Sequence, residues 1–159
     1  MVRDMEQYLR PGVGVTTFCP GCGEGILMGL ILRAIDKLKL DMNNMLFVSG
    51  IGCAAWIPSP HFNADTLHTL HGRTIAFATG AKLAKPELKV VIISGDGDLA
   101  DIGGNHLIHG ARRNMDISVI CANNMIYGMT GGQVCSTTPL GASTMTTREG
   151  NPYRPFDLC

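Results

Sequence analysis

The stretch VVIISGDGD, residues 90–98, joins a run of apolar residues to two carboxylates with a glycine between them. A continuous apolar run that stops abruptly in polar residues is typical of a strand buried on both faces of a parallel sheet. Ligands bind such sheets at the carboxyl ends of the strands. Asp96 and Asp98 are therefore predicted to lie at a ligand-binding edge. Gly95 and Gly97 would let the backbone approach a ligand closely there.

The rest of the chain alternates between helical and strand patterns. Helices are predicted over 24–38, 73–85 and 100–114. Strands are predicted over 44–50, 88–98 and 116–124. Residues 53–72 have no simple period and are expected to be irregular. The alternation predicts an α/β fold in which helices cover both faces of a parallel sheet.

Composition excludes several classes of partner. The chain has 159 residues, 45% of them hydrophobic, with 13 Lys and Arg against 13 Asp and Glu. A balanced charge without a basic run argues against nucleic acid or an anionic membrane as the main partner. The sequence shows neither a membrane-spanning run nor a signal peptide, so we expect a soluble, cytoplasmic protein. Residues 152–159 look like the entry to another element, and we expect a chain truncated at its C-terminus.

The Gly-Asp sequence has two possible interpretations, a dinucleotide site and a magnesium site. Residues 95–100 match the loose G-x-G-x-x-G/A pattern of dinucleotide folds, but two carboxylates would repel a pyrophosphate. The next strand also ends in Asn123 and Asn124, where such folds have an acidic residue. A magnesium ion between carboxylate and phosphate removes the repulsion. Asp96 would supply a carboxylate, Asn124 a side-chain carbonyl and Ile126 a backbone carbonyl. The interpretation as a magnesium site is preferred.

The cysteines indicate a second site. Cys19 and Cys22 form a C-x-x-C loop that opens the first helix, and Cys53 follows the first strand, at the same sheet end as Asp96. Such loops hold zinc, an iron–sulfur cluster or a redox dithiol. The spacing alone leaves these alternatives open.

The motifs together resemble a known family. Gly-Asp-Gly, a gap of 26 residues and then asparagine resembles the signature of thiamine-diphosphate enzymes. The motifs CPGCGEG, IGCAA and YGMTGGQ occur in this order along the chain. Together with the Gly-Asp-Gly motif, they make the chain from Thr16 onward resemble the β subunit of 2-oxoacid:ferredoxin oxidoreductases. YGMTGGQ is more similar to the 2-oxoglutarate branch than to the pyruvate branch. The resemblance implies a thiamine-diphosphate-binding domain over 1–159, with the cysteine motifs inside 16–53.

The resemblance also implies which residues bind each group. A [4Fe–4S] cluster would be held by Cys19, Cys22 and Cys53, with a fourth ligand beyond this chain. His71, in LHGR, is the candidate catalytic residue near the reacting centre. The residues expected to contact thiamine diphosphate are Ile51, Gly52, Cys53, Ala54, His71, Gly95, Gly97, Asp98, Gly128, Met129 and Thr130.

The activity implied is CoA-dependent oxidative decarboxylation of a 2-oxoacid, with 2-oxoglutarate giving succinyl-CoA and electrons passing through the cluster to ferredoxin. An α subunit, with γ and δ subunits in some complexes, would be the partner and would supply the glutamate that activates thiamine, since no pattern places Glu24 or Glu149 beside its pyrimidine. The alternatives are branched-chain or broad-range 2-oxoacids, a non-redox thiamine decarboxylase or synthase, and a zinc-stabilised scaffold.

Overall fold

The computed structural model describes residues 3–158; Met1, Val2 and Cys159, at the ends of the predicted domain 1–159, lie outside the described residues. The α-helices are α1 (Gly23–Leu38), α2 (Thr74–Ala84) and α3 (Gly104–Arg112). The strands are β1 (Met45–Ser49), β2 (Asp65–His68), β3 (Lys89–Gly95) and β4 (Ser118–Ala122). No helix within residues 3–158 is both long enough and apolar enough to cross a membrane.

The strands form a parallel sheet in the order β2-β1-β3-β4. Val48 of β1 lies opposite Ile92 of β3, and Gly95 at the end of β3 lies opposite Ala122 at the end of β4. The carboxyl ends of β1, β3 and β4 therefore meet at one edge of the sheet. The predicted parallel sheet is confirmed.

Helices cover both faces of this sheet, as predicted. Successive residues of a strand point to opposite faces. One face packs against α1, and its buried residues are Ile31, Leu32, Ile35, Met45, Phe47, Ile57, Phe62 and Ile93. The other face packs against α2 and its buried residues include Val48, Ile75, Ala78 and Ile92. Apolar residues on both faces explain why β1 and β3 read as continuous hydrophobic runs.

One region differs from the prediction. Residues 53–72 are not irregular throughout, because β2 pairs in parallel with β1 and a 3₁₀ turn covers Cys53–Trp56. The strand was missed because it has only four residues, DTLH, none of them buried. A short polar strand at the edge of a sheet has neither the apolar run nor the clean alternation that sequence patterns detect.

The predicted strand 88–98 also ends earlier than expected. β3 stops at Gly95, and the chain then enters a π-helical turn at Gly97–Ile102 before α3. The π turn is a rare form that is often found at functional sites. It places Asp96 and Asp98 beyond the last strand residue, where their side chains reach the neighbouring strand ends.

The core on the α1 face gives a direct test of this fold. Phe47 is fully buried and packs edge-on against Phe62, with 4.9 Å between the ring centroids. Phe47→Ala should lower the free energy of unfolding by about 3–5 kcal/mol, through lost burial and the cavity that remains. Phe156→Ala, at a side chain that is 56% exposed, should change it by less than about 0.5 kcal/mol. Denaturant titration measures both, and equal effects would contradict the assigned core.

Candidate functional site

A cavity of about 110 Å³ opens at the carboxyl ends of β1, β3 and β4. Every residue predicted to contact thiamine diphosphate or magnesium lines it, from Ile51 after β1 to Thr130 in the loop after β4. The wall also contains residues to which sequence reasoning assigned no role, namely Glu24, Ala122 and Tyr127. The structure thus brings the predicted cofactor residues together in one place.

The Asp98 side chain is buried, and both of its carboxylate oxygens accept hydrogen bonds from the protein. Its Oδ1 accepts hydrogen bonds from the backbone N–H of Ile51 at 3.2 Å and of Gly72 at 2.7 Å. Its Oδ2 accepts a hydrogen bond from the hydroxyl of Ser94 at 2.5 Å. His71 Nδ1 lies 2.5 Å from Asp98 Oδ1. Asp98 therefore ties three chain segments together beneath the cavity.

Asp96 has a different environment. It is 1% exposed, and its Oδ2 accepts a hydrogen bond from the backbone N–H of Met125 at 3.1 Å. The side-chain Oδ1 of Asn124 accepts from the backbone N–H of Ile126 at 3.2 Å. These contacts hold the three predicted magnesium donors beside one another. Carboxylate, amide and backbone carbonyl oxygens are the donors that magnesium prefers, so this set fits the ion.

Tyr127 forms the wall opposite His71. Their rings meet edge to face, with 6.2 Å between centroids. The Tyr127 hydroxyl donates to Asp101 Oδ2 at 2.9 Å and to the carbonyl of Gly97 at 3.2 Å. Burial and then the Asp101 carboxylate raise the pKa of Tyr127 well above its ordinary value. The phenol therefore stays protonated at neutral pH and acts as a fixed hydrogen-bond donor.

A second cavity, of about 390 Å³, adjoins the first. Cys19, Cys22 and Cys53 all line it, and Cys53 also lines the cofactor cavity. Burial raises the pKa of Cys53, and Glu24, Cys22 and Cys19 raise it further. No three His, Cys, Asp or Glu side chains among residues 3–158 meet closely enough to hold one metal ion. The three thiols lie in the wall of one cavity, and their softness suits iron–sulfur ligation.

Glu24 is a wall residue that sequence reasoning did not place at the site. It lies in the walls of both cavities, is 9% exposed, and its Oε2 has no hydrogen-bond partner among the described residues. Burial and then Asp96 raise its pKa. The only available signal was its place two residues after Cys22, at the start of an amphipathic helix.

Comparison with known proteins shows the family of this chain. Residues 50–159 match the family described as "Thiamine pyrophosphate enzyme, C-terminal TPP binding domain". The match covers more than half of the chain, so the chain belongs to the thiamine pyrophosphate enzymes.

The relatives of this chain show which group of thiamine pyrophosphate enzymes it resembles. The 2-oxoglutarate synthase subunit KorB of Methanocaldococcus jannaschii is 52% identical over 153 residues, which are 96% of this chain and 56% of the relative. The 2-oxoglutarate oxidoreductase subunit KorB of Mycobacterium tuberculosis is 41% identical over 88% of this chain and 37% of the relative. The predicted resemblance to 2-oxoacid:ferredoxin oxidoreductase β subunits of the 2-oxoglutarate branch is confirmed. The chain spans about half the length of the first of these curated relatives.

A solved structure has the same fold. It is the 2-oxoglutarate:ferredoxin oxidoreductase from Magnetococcus marinus with 2-oxoglutarate, coenzyme A and succinyl-CoA bound. The TM-score is 0.91 at 38% identity, over 96% of this chain and 51% of that chain. The predicted α/β thiamine-diphosphate-binding fold is confirmed.

Gly50 tests the importance of the buried carboxylate. A Cβ atom added at Gly50 would overlap the carboxylate of Asp98, whereas one added at Gly80, an exposed position of α2, meets nothing within 4 Å. Gly50→Ala should lower the free energy of unfolding by about 1–3 kcal/mol, because Asp98 must leave its donors. Gly80→Ala should raise it by about 0.5–1 kcal/mol through helix propensity. A denaturation series that ranks the two variants in the opposite order would refute this role for Gly50.

Proposed function

We propose that this chain is the thiamine-diphosphate-binding part of a 2-oxoacid:ferredoxin oxidoreductase, acting in the cytoplasm on 2-oxoglutarate and coenzyme A. One observation supports this above others: Cys53 stands in the wall of both cavities, between the diphosphate site and the other two thiols. A thiamine enzyme without electron transfer needs no such neighbour. A zinc scaffold needs no diphosphate cavity.

The roles of the residues follow from their contacts. Asp96, Asn124 and Ile126 would hold Mg²⁺, and the backbone of the π turn after Gly95 would approach the diphosphate. Thiamine diphosphate, when bound, supplies an electron sink for the decarboxylation of a 2-oxoacid. His71 is held with Nδ1 towards Asp98, which leaves Nε2 as the nitrogen available to a substrate.

The remaining parts of the enzyme would come from elsewhere. Cys19, Cys22 and Cys53 are three thiols, and a [4Fe–4S] cluster bound by four needs one more ligand. The glutamate that activates thiamine would come from a partner α subunit, and ferredoxin would accept the electrons. The chain alone is therefore expected to be inactive.

Substrate choice is the first test. The protein, co-expressed with its partner subunits and purified without oxygen, should reduce a viologen dye when given 2-oxoglutarate and CoA. With pyruvate, kcat/KM should fall by about tenfold or more, since pyruvate lacks the distal carboxylate of 2-oxoglutarate and leaves the groups that bind it unpaired. Equal rates with branched-chain 2-oxoacids would favour the broad-range alternative. Decarboxylation without dye reduction, in a colourless protein that retains thiamine, would favour the non-redox alternative.

Thiol protection tests the cluster. With iron bound, Cys19, Cys22 and Cys53 should resist iodoacetamide, and after chelation they should label, Cys19 most rapidly because it is exposed. Burial raises the pKa of Cys121 to about 11, so only about one thiol in a thousand is ionised at pH 8. Cys121 should therefore label slowly in both states and serves as the internal control.

Mass spectrometry of the labelled peptides measures each site separately. Equal labelling of Cys19 and Cys22 with and without iron would show that they are not ligands. That result would remove the electron-transfer part of the proposal and leave the thiamine site untouched.

A further inference from the structure

The chain returns to Asp96 after the glycine-rich loop, through residues 135–138, Cys-Ser-Thr-Thr. The thiol of Cys135 donates a hydrogen bond to Asp96 Oδ2 at 3.1 Å, and the hydroxyl of Thr137 donates to the same oxygen. With the backbone N–H of Met125, three donors converge on this one oxygen. Cys135 and Thr137 are 5% and 4% exposed. These contacts leave Oδ1 as the oxygen of Asp96 that is available to a cation.

The same segment also holds the strand end that carries the other two magnesium donors. The hydroxyl of Thr138 donates to the carbonyl of Met125 at 2.6 Å and accepts from the backbone N–H of Cys135 at 2.9 Å. Met125 lies between Asn124 and Ile126, and its φ of 64° is in the left-handed region, which residues with a side chain seldom adopt. Tertiary contacts must stabilise such a conformation. Thr138 supplies one of them.

We propose that residues 135–138 are a positioning element for the cation site, in which Thr137 and Cys135 orient Asp96 and Thr138 fixes the backbone between Asn124 and Ile126. The inference rests on the proposed function, because it presumes that the ion at this site is the Mg²⁺ of thiamine diphosphate. None of the four residues needs to touch the ion. Their effect is to hold all three donors in one geometry before the ion arrives.

The magnitude follows from the behaviour of outer hydrogen bonds at other metal sites. Loss of a hydrogen bond to a ligating group typically costs 10–100-fold in metal affinity. Thr137→Val removes the hydroxyl and keeps the shape of the side chain. It should raise the Mg²⁺ concentration needed for half-maximal retention of thiamine diphosphate by about 10–100-fold. Thr137→Ser keeps the hydroxyl and should stay within about threefold of the native protein.

Equilibrium dialysis of the full complex against thiamine diphosphate, over a series of Mg²⁺ concentrations, measures this property without turnover. Thr79→Val is the matched control, because the hydroxyl of Thr79 bonds only the carbonyl of Ile75 within α2, at 2.7 Å. It should leave the Mg²⁺ dependence unchanged. Thr138→Val and Thr138→Ser form a second pair, with the same expected loss and recovery, should Thr137→Val fail to fold.

The possible outcomes distinguish failure of the positioning role from failure of the proposed function. Native Mg²⁺ dependence in a folded valine variant would overturn the positioning role. Equal loss in the valine and serine variants would overturn it too, because packing rather than the hydroxyl would then be responsible. If the native complex retains no thiamine diphosphate at any Mg²⁺ concentration, the proposed function itself fails. A loss restricted to the valine variants supports the inference.

Discussion

The ligand-binding edge of the sheet depends on the burial of one carboxylate, Asp98. A buried charge is tolerated only when donors satisfy its oxygens. Here the donors are the backbone after β1 at Ile51, the backbone before α2 at Gly72, and the hydroxyl of Ser94 on β3. His71 stands beside the same group. Removing any one donor would leave the charge underpaired, so the geometry of three segments is linked through a single side chain.

The two aspartates of the GDGD sequence thus have separate tasks. Asp98 accepts hydrogen bonds on both of its oxygens and links three chain segments, while the donors that hold Asp96 all contact its Oδ2. Two glycines at this edge, Gly50 and Gly97, are explained by a lack of space rather than by backbone flexibility. A Cβ atom at Gly50 would overlap Asp98, and one at Gly97 would come within 2.6 Å of the Tyr127 ring. Close packing of backbone against side chain leaves room for no other residue at these two positions.

Most of this fold and much of the candidate site could be predicted from the sequence, because buried parallel strands and the bursts of polar residues after them are local signals. β2 could not be predicted, since it is polar and short and becomes a strand only by pairing with β1. The contacts of Thr137 and Cys135 with Asp96 span 41 and 39 residues. No periodicity encodes such a contact. The position of Glu24 in the cavity wall could not be predicted for the same reason, because only the folded chain brings it near Asp96.

The charges around the cofactor cavity limit how a diphosphate could be held there. Its wall contains three acidic residues, Glu24, Asp96 and Asp98, and none of the described residues that line it is lysine or arginine. A diphosphate placed among these groups would be repelled by them. Within this chain, attraction would have to come from backbone N–H groups and from a divalent cation, so the proposed cation would be a condition of binding. The donors around Asp96 therefore matter to the cofactor as much as to the ion.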